Sequence, residues 1–169
     1  MPPTNMPAEA GSEVRWLSDT EQEAWRRFIS GASRLLERLD QDLKAQGVNH
    51  DDYGVLVHLS EATDDRLRMA DLADRSVESR SRLSHHIGRL EAKGLVVRES
   101  CPNDRRGYFA VLTAEGRAVV ERVAPFHVAG VRQWFIDQLD PTELATVADV
   151  FTRIDRSLGC PDADQPCPG

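Results

Sequence analysis

Between Met69 and Leu112 the spacing of apolar residues changes twice, and few folds accommodate that change. Met69, Leu72 and Ala73 mark the inward face of a short helix, "RSVES" (75–79) interrupts it, and Leu83, Ile87 and Leu90 resume a helical stripe as far as Lys93. Ser79 stands where an N-cap is needed, and Gly94 where the second helix must stop. "LVVRES" and "YFAVLT" then read as strands, β-branched and aromatic, with "CPNDRRG" as the turn between them. Two short helices about a tight turn, followed by a β-hairpin, outline a winged helix-turn-helix.

Long helical patterns lie on either side. "SDTE" (18–21) has the form of a capping box, and Trp25, Phe28, Ile29, Leu35, Leu36, Leu39 and Leu43 follow at three- and four-residue spacings up to Gly47. A short helix fits Asp52 to Ala62. Thr113 caps a helix running to about Asp137, in which Pro125 predicts a bend or break. "DPTE" (140–143) opens a last helix to about Leu158. The fold class is mainly α (α+β): a winged helix-turn-helix with a two-stranded wing between terminal helices.

The charge is unevenly placed. The chain of 169 residues has a net charge of −7, yet residues 75–106 hold eight basic and four acidic side chains, a local +4 that leaves −11 for the rest. A basic island on an acidic body is the footprint of a local polyanion site. Rotation at 100° per residue from Leu83, Ile87 and Leu90 puts Ser81 and His85 nearly opposite the core, with Arg82, Ser84, Gly88 and Arg89 on the flanks. Such a face suits a major groove, because short donors and guanidinium groups read base edges or grip phosphate. The expected contact residues are Ser79, Arg80, Ser81, Arg82, Ser84, His85, His86 and Arg89. At the hairpin tip, Asn103, Asp104 and Gly107 satisfy turn geometry, whereas Arg105 and Arg106 are not needed for it. An arginine there enters a minor groove, and Asp104 holds the Arg106 guanidinium extended beforehand.

"RMADLADRSVESRSRLSHHIGRLEAKGLV", "CPNDRRGYFAVLTAEG" and the terminal helices, over about residues 18–158, resemble the multiple-antibiotic-resistance regulator (MarR) family. Asp104-x-Arg106 followed by Leu112, Thr113, Glu115 and Gly116 is the most specific part of the likeness. The resemblance implies a homodimer built from first and last helices on a pseudo-palindromic duplex, repressing transcription until a small, commonly aromatic, molecule releases it. Leftover apolar surface on two terminal helices agrees with a partner chain. The domain plan is a flexible segment 1–17 and one domain 18–158, then a flexible tail 159–169. Within the domain, 18–47 and 113–158 are dimerisation helices and 52–112 the DNA-binding lobe.

Other functions find less in the sequence. It contains no P-loop, Rossmann glycine pattern or H-E-x-x-H, so no enzyme, cofactor or metal is expected. The rival readings are a winged helix that contacts proteins rather than DNA, and a redox-responsive regulator using Cys101. Trp16, Trp25 and His58 are candidates for an effector pocket, with packing or surface as their plainer fate. Cys101, Cys160 and Cys167 are too few and scattered for a disulfide framework. No apolar run spans a bilayer and the start lacks a secretory pattern, so no membrane contact and a cytoplasmic location are expected.

Overall fold

The computed structural model describes residues 14–101 and 104–159, with Asp104, Arg105 and Arg106 described by their backbone alone. The chain divides between Arg34 and Leu35 into two compact units, and helix α1 (Asp19–Lys44) runs through both. In the first unit Ser18 and Glu21 close the expected capping box. The Glu21 N–H donates to Ser18 Oγ at 3.3 Å, and the Ser18 N–H to Glu21 Oε2 at 2.7 Å. Trp25, Phe28 and Ile29 are exposed there, the first two with ring centres 5.9 Å apart.

The second unit holds the end of α1 and then α2 (His50–Ser60), β1 (Arg66–Arg68), α3 (Met69–Arg75), α4 (Arg80–Ala92), β2 (Val96–Cys101), β3 (Asp104–Leu112), α5 (Ala114–Trp134) and α6 (Pro141–Ser157). Gly47, at φ 85°, turns the chain out of α1 in the conformation that glycine tolerates best. Helix α2 starts at His50, earlier than the expected Asp52, because Asn49 Oδ1 accepts the Asp52 N–H at 2.7 Å.

The sheet has three antiparallel strands in the order β1–β3–β2, one more than the sequence suggested. β1 is only Arg-Leu-Arg, registered as Arg66↔Val111, Leu67↔Ala110 and Arg68↔Phe109. Leu67 packs against the core, and pairing with the far edge of β3 makes this charged tripeptide a strand. Asp64 and Asp65, both at φ 56°, form the turn before it. Arg117 of α5 secures that turn by donating from Nη2 and Nε to the Asp65 carboxylate, with Nε 3.2 Å from Oδ2.

Val55, Leu56 and Leu59 of α2, Leu72 of α3 and Leu83, Ile87 and Leu90 of α4 close over Val96 and Ala110 of the sheet. Burial of each large aliphatic side chain contributes about 1.5–3 kcal/mol. A smaller cluster of Leu43, Val48, Tyr53 and Val123 ties the end of α1 to α2 and α5.

Helix α5 begins as expected, with Thr113 Oγ1 accepting the Gly116 N–H at 3.0 Å. It is not broken at Pro125, and it stops at Trp134, short of Asp137, before a 3₁₀ turn at Ile136–Gln138. Pro125 and Glu121 are both exposed, so the carbonyl deprived of a partner lies on the solvent side. Asp140 and Glu143 form a reciprocal capping box at α6, with Pro141 in its first turn. No residue of α6 is buried.

Gly116 is buried where α5 leaves the sheet. A Cβ there would lie 2.6 Å from Leu112 Cδ1 and press into the Leu95 carbonyl. Gly116→Ala is therefore expected to cost about 1–3 kcal/mol, read as a lower urea midpoint with an unchanged m-value.

Candidate nucleic-acid interface

Leu83, Ile87 and Leu90 bury one side of α4, which fixes the rotation of the helix about its axis. Ser79, Arg80, Ser81, Arg82, Ser84, His85 and Arg89 consequently face solvent. Ser79 Oγ accepts the Arg82 N–H at 3.2 Å and caps the helix start. Arg82 lies 3.4 Å from Glu78 Oε2, whose side chain is nearly buried, and 3.7 Å from Asp51 Oδ2, an exposed pairing of small energetic weight. Among the described residues Arg80 and Arg89 form no ion pair, so both guanidinium groups remain available to an anion.

His86 departs from the expectation. Rather than facing DNA, it is 2% exposed and belongs to the buried stripe, three residues after Leu83 and four before Leu90. Its Nε2 is 2.9 Å from Asp52 Oδ1 and its Nδ1 is 2.8 Å from Glu78 Oε1. Asp52, 1% exposed, also accepts from Lys93 Nζ at 2.5 Å. The hydrogen bond from His86 and that from Lys93 outweigh burial and hold the Asp52 carboxyl down to about 2. In return Asp52, and then Glu78, push the His86 imidazole above its ordinary value against the effect of burial. A buried polar cluster thus joins α2 to the helix that presents the basic face.

Arg98 of β2 has a role the sequence did not disclose. Its guanidinium donates to Glu91 Oε2 at 2.7 Å and to the Ser84 carbonyl at 2.6 Å, and its N–H reaches Glu91 Oε1 at 3.0 Å. It staples the hairpin to α4. Between these elements lies a groove of about 360 Å³ lined by Arg68, Met69, Ala70, Arg80, Ser84, Arg98, Gly107 and Tyr108.

The expected turn "CPNDRRG" is shorter than foreseen, since β3 already begins at Asp104 and pairs there with Cys101 after a register shift. Pro102 and Asn103, and the side chains of Asp104, Arg105 and Arg106, lie outside the described residues. Cys101 is a free thiol, 4% exposed, a setting that shields it from oxidants. Cys160 and Cys167 fall outside the described residues. Trp16 and Trp25 are exposed. His58 lines a second groove, of about 230 Å³, with His50, Asp51, Arg75, Glu78 and Arg82, and burial together with Arg75 lowers its affinity for a proton. Among the described residues no group of three His, Cys, Asp or Glu is placed to hold a metal, and no helix is long and apolar enough to cross a membrane.

A capped helix with a donor-rich face, a tight turn before it and a stapled β-hairpin after it define a winged helix-turn-helix. The MarR family model matches residues 46–107. AbsC, a MarR family transcriptional regulator from Streptomyces coelicolor, is 48% identical with a TM-score of 0.83, over 86% of this chain and 98% of that one. Sco3205, a MarR family regulator of the same organism solved in complex with DNA, is 43% identical with a TM-score of 0.85, over 92% and 98%. The transcriptional repressor MprA of Escherichia coli is 30% identical over 55% of this chain and 53% of its own length. The chain belongs to the MarR family. It is a DNA-binding transcriptional regulator and not an enzyme.

The Asp52 carboxyl, held near 2 against an ordinary 3.8, contributes stability that is present above about pH 4 and lost as pH falls through about 2. Asp52→Asn is expected to be less stable than the parent at pH 7 by about 2 kcal/mol. Urea unfolding at stepped pH should show that gap closing as acid is added.

Proposed function

We infer that the protein acts as a homodimeric repressor on a pseudo-palindromic duplex, with α4 in the major groove and the hairpin tip in the flanking minor groove. The observation that carries this reading is the exposed row of Arg80, Ser81, Arg82, Ser84, His85 and Arg89 on a helix whose rotation is fixed by its buried side. Likeness to a DNA-bound family member over nearly the whole chain supports it, and the name of MprA as a repressor supports the direction of regulation. Arg80 and Arg89 grip phosphate, while Arg82 and His85 face the base edges. Arg105 and Arg106 are the proposed minor-groove contacts of the wing.

The dimer reading rests on exposed apolar surface. α6 buries none of its residues, and Leu158 just beyond it is 72% exposed, with Ile154 exposed one turn before. Helices α1, α5 and α6 are the proposed dimerisation elements. Two-fold symmetry would then set the recognition helices about 34–36 Å apart. For release, the groove beside α2 that holds His58 has room for a single-ring compound.

Selection from random duplex DNA is expected to return an inverted repeat, bound with an affinity that falls steeply as salt rises. A protein-only adaptor would return no consensus. On the selected duplex, Arg106→Ala is expected to weaken binding by about 1–3 kcal/mol at matched salt, with the dimer intact in light scattering. Ile154→Glu is expected to give a smaller particle in the same measurement, because it buries a charge in the proposed interface.

A further inference from the structure

His86 is the one buried histidine among the described residues, and each of its ring nitrogens faces a carboxylate oxygen from a different part of the lobe. Asp52 stands in the first turn of α2. Glu78 sits in the turn between α3 and α4, immediately before the Ser79 cap. A neutral imidazole has a single N–H, so it donates to one of these carboxylates and sets a lone pair against the other. Only the imidazolium satisfies both.

We propose that His86 is a positioning residue for the recognition helix, a charged strut that braces α2 and the Glu78 turn in the arrangement that binds DNA and fails when its ring is neutral.

The groups around the ring fit this role. Asp52 approaches from α2 and Glu78 from the turn, and behind them Lys93 pairs with Asp52 while Arg82 pairs with Glu78 and Asp51. Asp52 retains Lys93 at 2.5 Å if the ring loses its proton to solvent. Glu78 has less in reserve. Its Oε2 is buried and accepts no hydrogen bond, and Arg82 Nε is 3.4 Å away. The turn it holds is also strained, since Val77, a β-branched residue 93% exposed, sits at φ 53°. Such a conformation persists only where neighbouring contacts impose it. The Glu78 N–H to Ala73 carbonyl bond at 2.9 Å and the His86 contact are two that do. Asp52 first, then Glu78, raise the proton affinity of the ring above the ordinary 6.5. The strut is therefore complete below the ordinary value of 6.5, while Asp52 keeps its charge, and is lost as pH climbs through the raised value.

This inference rests on the reading of α4 as the DNA-contacting helix, and its test separates the two. The probe is the duplex recovered from random-sequence selection, titrated at constant ionic strength from about pH 6 to about pH 9.5. The parent should lose affinity by about tenfold or more over the span in which ring ¹⁵N shifts, assigned with His86→Gln, report His86 deprotonating. Glu78→Gln replaces the carboxylate by an amide that donates to a neutral Nδ1, so this variant should bind with a flat profile over the same span. Circular dichroism of both proteins at each pH controls for unfolding. A ring that is neutral at pH 6, or parallel profiles for parent and Glu78→Gln, would overturn the proposal. If the parent binds no duplex at any pH, the DNA reading itself fails. The ring titration, followed together with the Val77 and Ser79 amides, then still decides whether the strut exists.

Discussion

The seating of α4 on its Leu83, Ile87 and Leu90 stripe governs the rest of the lobe. A helix has one rotational degree of freedom about its axis, and three aliphatic side chains of almost no exposure remove it. Once they are placed, the hydroxyls, imidazole and guanidinium groups of the opposite side have no choice of direction. A polar residue introduced into the stripe would disturb the orientation of every exposed donor on the helix, not only the packing beneath it. His86 is the informative exception. It occupies a stripe position with a polar ring, and the fold accommodates it by bringing carboxylates to both nitrogens.

Helix boundaries were largely legible because their causes are local. Ser18, Ser79, Thr113 and Asp140 each act as caps through groups two or three residues away, so a short window of sequence contains the whole interaction. The apolar period likewise identified the core of α4 without reference to any partner. Features that depend on distant chain were not legible. Asp52 meets His86 across 34 positions, and Arg117 meets Asp65 across 52. β1 is a strand only by virtue of its register with β3, since Arg-Leu-Arg has no strand signature of its own. His86 carried one signal that was missed, its place at three and four residues from Leu83 and Leu90.

Family membership and the geometry of the lobe support one another at different levels. Similarity to regulators such as AbsC establishes the fold and the class of activity. The side chains add what the likeness does not supply: a buried polar joint under the recognition helix, a hairpin tied to that helix by arginine, and a terminal helix with no fully buried residue.

Arg98 has a consequence for the electrostatics of the whole lobe. Its charge is neutralised internally by Glu91 and its remaining hydrogens are turned toward the Ser84 carbonyl, while Lys93 is engaged by Asp52. Two of the eight cations in the basic window therefore serve as mechanical fasteners, and an approaching polyanion meets fewer charges than the sequence advertises. The number of condensed ions displaced on association should track the unfastened subset, so composition overstates the ionic stoichiometry of the encounter.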